Sequence, residues 1–123
     1  MRLWLILGAA SAFLSVGAGA FGAHALRARL TPDLLTIFET GARYHMYHSL
    51  GLIAIGLLLQ SRPSATLHGA GWALLVGIFL FSGSLYAMAL SGVRALGAIT
   101  PLGGLCFLVG WLLFALAAWK QTN

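Results

Sequence analysis

Four long apolar runs dominate the hydropathy pattern of the chain, at residues 3–23, 44–59, 69–90 and 99–119. A helix needs about 20 mostly apolar residues to cross a hydrocarbon core about 30 Å thick. The second run is short if it begins at Tyr44, but signals upstream extend it. Thr31 stands where an N-cap would, Pro32 at a first helical position and Asp33 in the first turn, which predicts a helix over Pro32–Leu59. At 1.5 Å per residue that helix is about 42 Å long, more than the core requires. Its first turns are two-faced. Asp33, Thr36, Glu39, Thr40 and Arg43 share one arc, and Leu34, Leu35, Phe38 and Ala42 the other. Residues 32–43 therefore read as an amphipathic interfacial segment, with Gly41 a potential bend before the span.

The connections are short, at residues 27–31, 60–68 and 91–98, so successive helices should be antiparallel neighbours. The predicted fold is an all-α integral membrane protein: one domain over residues 1–123, an antiparallel up-down bundle of four transmembrane helices. No repeat, linker or low-complexity tract divides it. The first run has a rival reading as a signal peptide, since Arg2 precedes it and Ala23, His24 and Ala25 resemble a cleavage site. Its roughly 20 apolar residues exceed the 7–15 of a signal core, which favours a retained span.

Composition agrees with the pattern. Hydrophobic residues make up 60% of the 123 and charged residues 7%, against about 45–50% and about 25% in soluble domains. The formal charge of +5 would raise nucleic-acid binding in a soluble chain. Here Arg2, Arg27, Arg29, Arg43, Arg62, Arg94 and Lys120 flank the apolar runs, as bilayer anchors do. The expected partners are membrane lipids, anionic ones above all, and no nucleic acid. The basic count leans slightly toward both termini outside. Cys106 is the sole cysteine and lies in an apolar run, so no intrachain disulfide can form.

Helices in lipid approach closely through small residues. On the third span Gly69, Ala73, Gly77, Gly83, Ser84, Ala87 and Ser91 fall on one arc, with Trp72, Phe79 and Tyr86 recurring every seven residues beside it. The first span adds Gly8, Ser11, Ala12, Ser15 and Gly19. These faces predict contacts within the bundle or between protomers. Trp4, Trp72 and Trp119, near span ends, read as interfacial anchors, whereas Trp111 is deeper and packs.

Ionisable groups at membrane depth are functional candidates. They gather in one region: His24 at the end of the first span, then Glu39, Arg43, His45 and His48 along the second helix, with Tyr44 and Tyr47 beside the histidines. His45 and His48, three residues apart, can share a face, and His24 can complete a three-histidine metal set. The competing reading is a structural polar network, in which the histidines bond backbone or tyrosine hydroxyls. Glu39 and Arg43, four apart, predict an ion pair. His68 reads as an interfacial residue before the third span. No nucleotide-binding loop, HExxH or paired-cysteine motif is present, and no serine has an acid and a histidine near it in sequence.

Three segments carry a family resemblance: GAFGAHAL from Gly19 to Leu26, FETGARYHMYHSLGL from Phe38 to Leu52, and TPLGG followed by GW between Thr100 and Trp111. Together they resemble the YgdD/YwdK family of small multi-pass bacterial membrane proteins, which carry a domain of unknown function. The resemblance covers nearly the whole chain and implies a bacterial cell (inner) membrane location, with no activity, substrate or cofactor attached. It marks Gly19, Gly22, His24, Tyr44, Tyr47 and His48, and then Thr100, Pro101, Gly103, Gly104, Gly110 and Trp111. Pro101 fits the first turn of the fourth helix, and the paired glycines allow close packing there.

Abundant small-residue surface beside scarce ionisable chemistry leads to the expectation of a non-enzymatic structural or accessory membrane component. It would self-associate as a homo-oligomer or join a larger membrane complex. A transporter or channel component for a small solute or ion is the first alternative, and a metal- or haem-binding protein using His24, His45 and His48 the second. No resident cofactor is predicted.

Overall fold

A computed structural model describes residues 2–122. The first helix covers Arg2–His24 and the second Pro32–Leu59. The third is a continuous rod, Ala65–Ser91, whose middle turn at Ile78–Ser82 is π-helical. A short 3-10 turn at Arg94–Ala98 leads into the fourth helix, Thr100–Thr122. Three stretches among the described residues are long and apolar enough to span a membrane: Arg2–His24, Ala65–Ser91 and Arg94–Lys120. The second helix, with Asp33, Glu39 and Arg43 in its first half, falls below that mark.

Contacts at the two ends establish the antiparallel order. At one end Trp4 Nε1 donates to His68 Nδ1 at 2.9 Å, and Lys120 Nζ reaches Thr66 Oγ1 at 3.4 Å. At the other end Arg94 and Asp33 form a salt bridge, and Gly22 accommodates the ring of Phe38. The second helix is the central one. It buries Phe38, His45, His48, Leu52, Ile55 and Leu59 against its neighbours.

Local chemistry explains where the elements start and stop. Ser64 caps the third rod by accepting from the Leu67 N–H at 3.1 Å. Gly92 ends it in a left-handed conformation, φ +76°, with its N–H on the Met88 carbonyl at 2.8 Å. Thr31 occupies the predicted N-cap of the second helix, but its hydroxyl donates to Asp33 Oδ1 at 2.5 Å and caps nothing. The helix then runs unbroken through Gly41. Its missing side chain leaves room for the ring of Tyr86, which would lie 3.1 Å from a Cβ there.

Packing corrects several readings from the sequence. Trp4 is fully buried, edge-on to Trp72, and is no interfacial anchor. Gly71 makes the space, since a Cβ there would lie 2.7 Å from the Trp4 ring. Trp72 and Trp119 do face outward, 52% and 69% exposed. The small-residue arc of the third rod is split in two. Gly77 closes on Phe107 and the Gly103 carbonyl of the fourth helix, whereas Gly83 faces open space. The π turn at Ile78–Ser82 lies between them, and beyond it Ser84 still reaches the fourth helix while Gly83 does not.

The third and fourth helices meet where Gly103 and Gly110 lack side chains, and Ser84 Oγ and Thr100 Oγ1 join them at 2.6 Å. Gly69 is in ordinary contact with Leu113, and Gly104 barely reaches Phe81. Ala73 is half-buried. Gly19, expected in a packing face, has nothing within 4 Å of a would-be Cβ.

Candidate functional site

The polar residues of the spans meet around the middle of the second helix, and the two histidines there face different neighbours. Three residues along a helix separate side chains by about 60°. That is enough to turn His45 toward the first helix and third rod, and His48 toward the fourth helix.

His45 stands in a hydrogen-bond chain whose direction is fixed by counting protons. Ser49 Oγ is 2.7 Å from the His45 carbonyl, which can only accept, so Ser49 donates there. Ser11 Oγ, 2.6 Å from Ser49 Oγ, must then donate to it. Ser11 has no second proton, so His45 Nε2–H donates to Ser11 across 3.0 Å. His45 Nδ1 is left as the acceptor for the Tyr86 hydroxyl at 2.9 Å. The chain links the first helix, second helix and third rod, and both ring nitrogens are satisfied. Ser15 and Ser82 pin the same junction by donating to the Ala42 and Gly41 carbonyls at 2.8 and 2.7 Å.

A serine beside a histidine invites comparison with nucleophilic catalysis. A general-base histidine must present a bare Nε2 to the serine hydroxyl and donate from Nδ1 to an acid. Here every bond runs the other way. Nε2 carries the proton, Nδ1 accepts from a tyrosine, and the Ser11 proton is held by Ser49. A cavity of about 300 Å³ opens over this floor, with apolar walls from Leu7, Leu14, Leu75 and Phe79.

His48 is held differently. Its Nδ1–H donates to the Tyr44 carbonyl one turn back at 2.6 Å. The imidazole lies flat on Phe107, ring centroids 3.4 Å apart and planes 5° from parallel. Trp111 and Tyr44 stand at 5.8 and 6.1 Å. The side chain is 5% exposed, and its Nε2 has no protein partner among the described residues. His48 lines a cleft of about 440 Å³ walled by Tyr44, Tyr47, Phe81, Phe107 and Trp111. The Trp111 indole presses its benzo edge against Gly51. Leu108, 70% exposed at the rim, places the mouth on the outer apolar surface.

The π turn serves both sites. Phe79 and Ser82 reach the His45 cavity, while Phe81 enters the His48 cleft and packs on the fourth helix at Gly103. Such bulges often mark functional positions in helices.

The three histidines do not converge. His24 is exposed at the end of the first helix, and His45 and His48 point into separate clusters. Among the described residues no group of three His, Cys, Asp or Glu can hold a metal ion. The predicted Glu39–Arg43 ion pair is likewise not formed. Both side chains are exposed, where such a pair gains only a few tenths of a kcal/mol and does not fix two long rotamers. The cross-element pair that does form is Arg94 with Asp33. His68, read as interfacial, is exposed in the first turn of the third rod and accepts from the buried Trp4.

The sequence reading singled out Tyr44, His45, Tyr47 and His48 but missed the partners of the two histidines, Ser11, Ser49, Tyr86 and Phe107. A signal existed. Hydroxyls inside apolar spans must find acceptors, and the serines were read for small size or as nucleophiles but not as donors.

Comparison with known proteins now adds identity. Residues 18–104 match the family described as Protein of unknown function (DUF423). The chain is 49% identical over 120 residues to a UPF0382 membrane protein of Staphylococcus epidermidis, and 48% identical to one of Staphylococcus haemolyticus, with 98% of each chain covered. It is 45% identical over 121 residues to the UPF0382 membrane protein YwdK of Bacillus subtilis, again with 98% of each chain covered. No solved structure matches. The chain is a bacterial membrane protein and belongs to the DUF423/UPF0382 family.

Proposed function

We propose that this protein is a non-enzymatic membrane protein that holds a lipid-soluble aromatic molecule in the His48 cleft. The observation that carries the reading is the contrast between its two buried histidines. His45 has both ring nitrogens bonded, whereas His48, which lines an aromatic cleft, keeps Nε2 without a protein partner among the described residues. A buried polar atom left unpaired costs free energy, and a ligand group that pairs with it recovers that cost. The cleft volume falls within the range of small-molecule sites, and aromatic walls with few polar groups are their usual lining. The reversed hydrogen bonds at Ser11 and His45 weigh against nucleophilic catalysis.

The expectation of self-association rested on glycine-rich faces. Gly8, Gly22, Gly56, Gly71, Gly77, Gly103 and Gly110 make close approaches inside a single chain, so only Gly19 and Gly83, which face open space, are left to argue for a partner. The transporter alternative needs polar groups lining a path, and the hydroxyls of Ser11, Ser15, Ser82 and Ser84 are instead bonded across helices.

The test is extraction. The protein is taken into nanodiscs directly from its own membrane, and its lipid-soluble aromatic content is measured by mass spectrometry against empty discs of the same lipid. Enrichment of one aromatic species approaching one per chain is expected, reduced in Trp111→Ala. An extract indistinguishable from empty discs would overturn the proposal.

A further inference from the structure

Resting on that reading, we infer that the occupant of the cleft is a lipid-soluble phenol or quinol, selected over the matching quinone or ether by a hydroxyl that donates to His48 Nε2. The Tyr44 carbonyl can only accept, so the proton on His48 is at Nδ1. A second proton on Nε2 would be buried without an acceptor among aromatic rings, an arrangement that is expensive away from water. Nε2 therefore presents a lone pair. A ligand carbonyl would face that lone pair with one of its own, whereas a ligand hydroxyl completes a hydrogen bond.

The shape of the site selects the rest of the ligand. His48 already lies parallel to Phe107, and Phe81 packs at 5.3 Å from Phe107. A planar ring entering between these walls gains offset-stacked or edge contacts that a saturated lipid chain does not. Tyr44 and Tyr47, 37% and 50% exposed, line the same cleft, and their hydroxyls have no protein partners among the described residues. They offer further polar contacts to a second ring oxygen. Among the described residues no lysine or arginine lines the cleft, so the carboxylates of a haem would find no cation there. The mouth lies on the outer apolar surface at Leu108, which suits a molecule arriving from the bilayer.

The experiment uses two probes that differ in one hydrogen-bond donor, 1-naphthol and 1-methoxynaphthalene, titrated into the full chain in nanodiscs with Trp fluorescence as readout. Menadiol and menadione, compared anaerobically, repeat the test on a quinol and its quinone. The hydroxyl compounds should bind roughly tenfold more tightly, the worth of one well-made hydrogen bond. His48→Phe keeps a ring against Phe107 and removes the acceptor, so it should bring each pair to equal affinity. Equal affinity of the two naphthalenes for the wild-type protein overturns this inference while leaving the cleft as an aromatic site. Absence of saturable binding by any of the four removes the cleft reading itself. A haem absorption band in the purified protein would overturn both. The wild-type comparison stands even if His48→Phe fails to fold.

Discussion

Three groups act on the Asp33 carboxylate at once: the Arg94 guanidinium, the Thr31 hydroxyl at 2.5 Å and the backbone N–H of Leu34. The hydrogen bond from Arg94 contributes most, that from Thr31 next, and together they lower the pKa from 3.8 to about 2. A carboxylate depressed on folding adds stability that is complete above its unfolded pKa and is lost as pH falls through the folded one. For Asp33 that window runs from about 3.8 down to about 2. Both partners are more than half exposed, so water screens the pair and neutral-pH stability depends on it little. In Arg94→Ala the Asp33 pKa should climb toward 3.8 with thermal stability at pH 7 nearly unchanged. A carbon-13 NMR titration of the carboxyl in micelles reads this directly, and an unmoved pKa would refute the assignment of cause. Neither partner of this pair had been matched from sequence, because Arg94 lies 61 residues away. Spacing rules see only neighbours on one helix. For the same reason His45 and His48 stood out in the sequence while Tyr86 and Phe107, which decide what each histidine can do, did not.

Among the elements, the third rod departs most from its sequence pattern. Its ends carry ordinary start and stop residues, Ser64 and Gly92, although the apolar run alone pointed to a start at residue 69. Its faces were not. The π turn has no propensity signature in Ile78–Ser82, and it is held by tertiary contacts such as Ser82 on the Gly41 carbonyl. The glycines divide too: Gly77, Gly103 and Gly110 sit where a Cβ would clash with the facing helix, and Gly19 and Gly83 face outward, although the sequence treats them alike. A Cβ at Gly103 would lie 2.3 Å from the Phe81 backbone nitrogen, which cannot move without breaking the seam between third and fourth helices. Gly103→Ala should therefore destabilise by about 1–3 kcal/mol or more. Gly19→Ala meets nothing within 4 Å and exchanges the poorer helix former for the better one, so stability should hold or rise by up to about 1 kcal/mol. Steric-trap unfolding in bicelles compares the two, and equal losses would refute the packing account.

For the molecule as a whole, the second helix is both the hub and the weakest span. Its apolar part, residues 44–59, covers only about 24 Å at 1.5 Å per residue, short of a core about 30 Å thick. It also carries His45, His48 and Ser49 to membrane depth. What makes this tolerable is position. Ser49 and both histidines are buried against neighbouring helices, and most of the polar atoms they bring are bonded to the first helix, the third rod or the helix itself. The same residues therefore cost free energy in an isolated helix and hold the bundle together in the assembled one, since their partners exist only after neighbours arrive. A sequence shows the polar residues and the short run but not the partners, which is why this helix was counted as a span while three others alone meet the length and hydropathy requirement. The consequence is an order of assembly. Tested one at a time as guest segments in a translocon insertion assay, Arg2–His24, Ala65–Ser91 and Arg94–Lys120 should insert nearly fully, and Pro32–Leu59 only partly. Preceding Pro32–Leu59 with its own first helix supplies Ser11 and the groove at Gly8, where Ile53 and the Ser49 carbonyl pack, and should raise its insertion. Ser11→Leu within that hairpin should lower it again by leaving His45 and Ser49 short of a partner. Full insertion of Pro32–Leu59 on its own, or indifference to Ser11, would mean that the helix crosses on hydrophobicity alone and that the polar chain forms too late to matter.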